Sequence, residues 1–145
     1  MIDETLLRNV LKTIKENPDL TRDIIDSYSD NQFKSKNKVL SYINDLDIVD
    51  TDSEVIIFGS WYGSILIPGL ANKVKRITCI DIDERVLRTA KNNLFNNYNN
   101  IDFIAADMFE KDRERERYQS TKLFINTSCE HMTSMKDWPF WPNNA

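Results

Sequence analysis

Histidine is almost missing from this 145-residue chain: His131 stands alone, with only two cysteines, Cys79 and Cys129. One histidine and two distant thiols make no zinc-ligand spacing, so no metal centre is expected. Long hydrophobic runs are lacking too, which excludes a membrane-spanning helix. The acidic, amphipathic start Met1-Ile2-Asp3-Glu4 lacks the basic and apolar pattern of a secretory signal. Both thiols are therefore expected to be free, in a reducing cytoplasm. Nor is there an excess of positive charge: 19 Lys and Arg face 23 Asp and Glu, for a net charge of -4. That balance does not give the broad electropositive footprint of a nucleic-acid binder, although a local basic patch remains open. What is present is 41% apolar residues, enough for one compact domain with a real core.

The pattern changes near residue 50. Before it, Leu6, Leu7, Val10, Leu11 and Ile14 recur at helical spacing behind a candidate N-cap, Asp3, and Pro18 ends that helix. A second helix is expected from Asp19 to Thr21 onward with Ile24, Ile25 and Tyr28 inward, and a third carries Val39, Leu40 and Ile43. Residues 1–50 thus read as an N-terminal helical segment. Residues 51–145 read as an α/β half-domain belonging to the same single domain. The polar stretch Asp50-Thr51-Asp52-Ser53 separates them.

Beyond this break, Glu54 to Phe58 is nearly continuous in apolar character, as expected of a strand buried on both faces of a parallel sheet. Arg76 to Ile80, Ile101 to Ala106 and Leu123 to Asn126 follow. Helical stretches lie between them through Ile65 to Ala71 and from about Asp83 to Asn97. The alternation predicts a Rossmann-like, doubly wound parallel sheet of about four strands. The alternating charges of Lys111 to Arg117 read as a solvated helix or loop.

Ligands in such sheets bind outside the carboxyl ends of the strands, so the residues there belong together. The first strand runs into Gly59-Ser60-Trp61-Tyr62-Gly63-Ser64, where two glycines permit positive φ and close backbone approach. The second ends in Asp81-Ile82-Asp83 and the third in Asp107. An acid after the second strand suits both hydroxyls of a ribose, and a carboxylate beside the third suits an adenine amino group. Asp83 also fits as the cap of the helix that follows, and Asp107 as the cap of the turn at Met108-Phe109-Glu110.

In this arrangement Val55 to Asp107 resembles the cofactor half of the class I S-adenosylmethionine (SAM)-dependent methyltransferases. Gly59 and Gly63 match the outer glycines of that family's loop, Asp81 its ribose acid and Asp107 its adenine-side acid. Ile80 through Asn93 is the most specific match. The resemblance implies SAM as cofactor, held by Gly59, Trp61, Gly63, Asp81, Ile82, Asp107, Met108 and Asn126. Trp61 stands where the family usually has a third glycine, and Ile57 where it often has an acid. Trp61 either covers the sulfonium or adenine or packs over the sheet edge.

After the fourth strand, Asn126-Thr127-Ser128-Cys129-Glu130-His131-Met132 occupies the stretch where family members place substrate-facing groups. Asn126 matches the amino-methylating members, but Thr127 and Ser128 replace their two prolines, which argues against nucleobase amino-methylation. Glu130-His131 resembles the pair found here in members acting on small molecules. His131, with an ordinary pKa of about 6.5, is the candidate catalytic base, oriented by Glu130. A role in holding the loop is the alternative, and a Cys129–His131 thiol pair lacks a third orienting group.

The expected function is methyl transfer to an oxygen or nitrogen of a small molecule or an exposed macromolecular group. A non-catalytic nucleoside-binding or protein-interaction module is the alternative. A nicotinamide site lacks the close GxGxxG spacing, because Trp61 takes the middle glycine's place. The family's catalytic domain has seven strands, and only four are legible here. A naturally short enzyme, a piece of a longer chain and a homo-oligomer built through the exposed edge of the fourth strand all fit. The aromatics of Trp138-Pro139-Phe140-Trp141-Pro142 suit a cover for that edge or a docking element.

Overall fold

A computed structural model describes residues 3–110, 115–128 and 135–140. Three helices precede the sheet: α1 (Glu4–Glu16), α2 (Thr21–Asp26), entered through a 3-10 turn at Pro18–Leu20, and α3 (Asp30–Asp45). Asp3 caps α1, its Oδ1 accepting from the Leu6 amide at 2.8 Å, and Ser29 caps α3 in the same way. The inward face of α1 is narrower than its sequence suggests. Leu6 is buried and Val10 and Ile14 pack against the core, while Leu7 and Leu11 are 51% and 59% exposed. Leu6, Val10 and Thr13 fall within about 60° of one another around the helix with Ile14 at the edge, whereas Leu7 and Leu11 lie about 90° and 130° from the middle of that face. Thr13 is buried on the inner face, its hydroxyl satisfied by the Asn9 carbonyl at 2.6 Å. On α2 likewise, Ile24 is buried and Ile25 is exposed.

Then come β1 (Glu54–Phe58), α4 (Leu66–Leu70), β2 (Arg76–Asp81), α5 (Glu84–Thr89), β3 (Ile101–Ala105), α6 (Arg115–Ser120) and β4 (Leu123–Asn126). The helix expected to reach Asn97 ends sooner. After α5 a single π turn over Ala90–Leu94 closes with the Phe95 amide on the Ala90 carbonyl. The four strands are parallel in the order β3-β2-β1-β4. The chain therefore steps outward from β1 to β3 and returns to the far side of β1, which puts a switch point at the carboxyl end of β1.

Strand alternation divides the core. Val55 and Ile57 of β1, with Ile77 and Cys79 of β2, face a layer built from α1 to α5. Ile56, Phe58 and Ile80 face the other layer with Met108, Tyr118, Trp138 and Phe140. Fully buried Phe58 stacks on Phe124 at 5.9 Å and meets Trp138 edge-on at 5.0 Å; such pairs are worth about 1 kcal/mol each beyond their burial. Thr78, the polar residue on this face of β2, accepts from Arg117 Nη1 at 2.8 Å. Arg117 also reaches Asp102 of β3, which pairs with Arg76. The charge run read as solvated thus sends one arginine onto the sheet, because Thr78 and Asp102 offer it acceptors there. Residues 111–114 lie outside the described residues.

Candidate cofactor cleft

A cleft of about 610 Å³ opens at the carboxyl ends of the strands, a size that suits a nucleoside-based ligand. Each strand supplies a stretch of its wall: Gly59 to Leu66 after β1, Ile80 to Asp83 around the end of β2, Ala106 to Phe109 after β3, and Thr127 with Ser128 after β4. Seven of the residues picked out by sequence come together here: Gly59, Trp61, Gly63, Asp81, Ile82, Asp107 and Met108. Asn126 does not line it. Its Oδ1 accepts from the Ser128 amide at 2.9 Å, and the next two residues face the cleft instead. His131, Glu130 and Cys129 lie outside the described residues.

The loop after β1 is held by unusual means. Gly59 and Gly63 have φ of +58° and +69°, and so does a bulky neighbour, Trp61, at +54°. A left-handed backbone costs a residue with a side chain about 1 kcal/mol. Two carboxylates hold Trp61 there: its amide donates to Asp81 Oδ2 at 2.9 Å, and its indole Nε1 donates to Asp23 Oδ2 at 3.1 Å. The same Asp23 oxygen accepts the Tyr62 hydroxyl at 2.9 Å. Burial, and this bond to a carboxylate, raise the Tyr62 pKa well above its ordinary value. The Gly59 amide donates to the Ile80 carbonyl at 2.8 Å, and the Ser128 hydroxyl donates to the Gly59 carbonyl at 3.1 Å, tying the loop to β2 and β4.

Asp81 Oδ1 accepts from the Asp83 amide at 3.0 Å, so each carboxylate oxygen already takes one protein N–H. Each keeps a second lone pair, enough for one hydroxyl apiece of a vicinal diol. Asp83 is the N-cap of α5, its Oδ1 receiving the Val86 amide. Asp107 closes a turn, its Oδ1 taking the Phe109 amide at 2.8 Å, and remains exposed at the cleft wall. Between them Ile82 is 77% exposed, an apolar side chain on the lining.

Sequence reasoning missed the side of the cleft supplied by α2 and α3: Ser27, Gln32 and Lys36 on its wall, and Asp23 behind it. Their polar types carry no periodic signal, and only the way α2 and α3 fold back beside the loop brings them there.

No protein-family model matches the chain. It is 29% identical, over 99 residues, to the ribosomal RNA small subunit methyltransferase A of Fusobacterium nucleatum subsp. nucleatum, a match covering 68% of this chain and 37% of that protein. The chain thus spans little more than a third of that curated relative. Among solved structures, the N-methyltransferase NodS of Bradyrhizobium japonicum WM9, in complex with S-adenosyl-L-homocysteine, matches with a TM-score of 0.50 and 19% identity, over 76% of this chain and 51% of its own. The precorrin 8w decarboxylase of Methanobacterium thermoautotrophicum matches with a TM-score of 0.50 and 17% identity, over 64% of this chain and 49% of its own. Strand order, the cleft at the switch point and these likenesses give the chain a Rossmann-like α/β fold similar to that of the methyltransferases it matches.

Proposed function

We propose that the chain is the cofactor-binding part of a SAM-dependent methyltransferase that methylates an oxygen or nitrogen nucleophile. One observation carries this reading: Asp81, at the end of β2, joins the Gly59–Gly63 loop at the switch point while keeping acceptor capacity for two hydroxyls. Asp81 would hold the ribose, exposed Ile82 the face of the adenine, and Asp107 with Met108 its rim. Gly59, Trp61 and Gly63 would line the amino-acid end, where Gln32 and the Lys36 ammonium on α3 suit a carboxylate. Asn126 supports the acceptor side through the Ser128 amide. SAM supplies an activated methyl on a sulfonium, so the protein's task is mainly alignment. His131 is the proposed base for the acceptor's proton, on the strength of its position after β4.

The likeness to a ribosomal RNA methyltransferase makes RNA the first acceptor class to try. Thr127 and Ser128, and a net charge of -4, weigh toward a hydroxyl or a small amine rather than a nucleobase amino group. Calorimetry with SAM, S-adenosylhomocysteine and NAD tests the cofactor. Binding of the first two and not of NAD is expected, with Asp81→Ala weakening it by about tenfold or more, as for loss of a charged hydrogen-bonding partner. Absence of SAM and S-adenosylhomocysteine binding by the folded protein would falsify the reading. Transfer of labelled methyl to RNA and to small amines and alcohols then distinguishes the acceptors, and His131→Ala should slow turnover while sparing affinity.

A further inference from the structure

The surface of α2 that meets the cofactor loop is polar, and its residues are spaced one helical turn apart. Asp23 lies within α2 and Ser27 caps its end. Asp23 Oδ2 accepts from both Trp61 Nε1 and the Tyr62 hydroxyl. The Ser27 hydroxyl donates to the Ile24 carbonyl at 2.6 Å, so the 2.7 Å bond between Ser27 and Ser64 is donated by Ser64. Three loop residues out of four in succession are therefore fixed from one helix. The opposite side of the same loop is fixed by Asp81 through the Trp61 amide. Trp61 is held between two carboxylates from different elements, and Trp61, Tyr62 and Ser64 all line the cleft, whereas Asp23 does not.

We propose that α2 is a clamp that sets the shape of the cofactor loop, with Asp23 as a positioning residue for the amino-acid end of bound SAM. This rests on the methyltransferase reading above. Asp23 acts through Trp61 and Tyr62 and touches no ligand itself. Because a single oxygen receives both donors, the requirement is for an acceptor with two lone pairs, which an amide oxygen also provides.

The test compares Asp23→Ala, Asp23→Asn and Tyr62→Phe with the unaltered protein. Affinities for S-adenosylhomocysteine and for adenosine, which lacks the amino-acid end, are measured with hydrogen exchange of the Trp61 amide. Asp23→Ala should weaken S-adenosylhomocysteine by about tenfold while changing adenosine by less than about threefold, as for two lost hydrogen bonds near one end of the ligand. Asp23→Asn should restore most of that loss. Trp61 exchange in ligand-free protein should accelerate by about tenfold in Asp23→Ala and little in Asp23→Asn. Equal loss for both ligands points to a purely structural role and overturns the proposal, as does Asp23→Asn behaving like Asp23→Ala. Should Asp23→Ala fail to fold, Tyr62→Phe, which removes one donor and keeps the ring, must still weaken S-adenosylhomocysteine selectively. If the unaltered protein binds no S-adenosylhomocysteine, the methyltransferase reading fails. The clamp is then judged by exchange alone, and unchanged exchange at Trp61 in Asp23→Ala refutes it.

Discussion

Replacing Gly63 by alanine perturbs the loop after β1 in two separable ways. At φ +69° a Cβ is disfavoured by about 1 kcal/mol whatever surrounds it. The added Cβ would also stand 2.4 Å from Ile67 Cδ1 and 2.9 Å from its Cγ1. Ile67 is fully buried, so its side chain escapes only by leaving its rotamer or moving α4, at about 1–3 kcal/mol. The sum is a loss of about 2–4 kcal/mol, or a Tm lowered by roughly 6–12 °C for a chain of this size. Gly69 is the control. Its Cβ would meet Leu40 Cδ1 at the same 2.4 Å, but its φ is not left-handed and Leu40 is only partly buried. Alanine there also gains about 1 kcal/mol of helix propensity. Gly69→Ala is therefore expected within about 1 kcal/mol of the unaltered protein, opposing terms of that size nearly cancelling. Urea denaturation of Gly63→Ala, Ile67→Ala and the double variant isolates the contact. In the absence of Cδ1 and Cγ1 only the backbone cost remains, so the coupling energy should be about 1–3 kcal/mol in favour of the double variant. Additive energies, or equal losses at Gly63 and Gly69, would refute the reasoning.

Burial pushes the Cys79 thiol up from its ordinary value to about 12; peptide mapping after iodoacetamide should find it unmodified in native protein at pH 8 and alkylated in urea. Since the folded value is the higher one, the stabilisation is complete below pH 9. It falls as the pH rises toward 12, by up to about 1.4 kcal/mol per unit, and Cys79→Ala should flatten that part of the pH–stability curve. Trp138 donates its indole N–H to the Met108 carbonyl at 2.7 Å in a buried setting; Trp138→Phe keeps an aromatic but strands that carbonyl, and should cost about 1–3 kcal/mol in urea denaturation. The Asp102 carboxylate, about one-third exposed between Arg76 and Arg117, should contribute no more than about 1 kcal/mol, a contribution that shrinks in added salt. A loss in Asp102→Asn that is larger and insensitive to salt would contradict this.

β1 was legible because burial on both faces writes a nearly unbroken apolar run, and β1 and β4 start and end where their runs do. The caps Asp3 and Asp83 were legible because an acid just before an apolar helical pattern has few other uses. The inner faces of α1 and α2 were drawn too wide. Leu7, Leu11 and Ile25 share the chemistry of the core without its geometry, and single exposed apolar side chains are ordinary. In the cleft, Gly59, Gly63, Asp81 and Asp107 could be found because each sits at a fixed step from a strand end. Asp23 and Ser27 at α2, and Gln32 and Lys36 on α3, could not, since nothing in a helix's polar residues says which turn will meet a distant loop, 38 residues further on in the case of Asp23 and Trp61.

This difference bears on how the N-terminal segment should be regarded. Leu6, Leu20, Ile24 and Ile43 belong to the same buried cluster as Val55, Ile57 and Ile77, so the helices before residue 50 share the core of the sheet. Asp81 alone does not fix the loop after β1 either. It grips the amide of Trp61, but rotation about that backbone is resisted by the indole, and the indole is held from α2. A glycine at this position would offer no side chain to hold, leaving the loop to rely on its backbone. With tryptophan there, the left-handed conformation is opposed by the Cβ and supported by a second carboxylate that only the N-terminal helices supply. Residues 1–50 and 51–145 thus share one core, and the left-handed Trp61 with its Asp23 acceptor is a single arrangement that spans both.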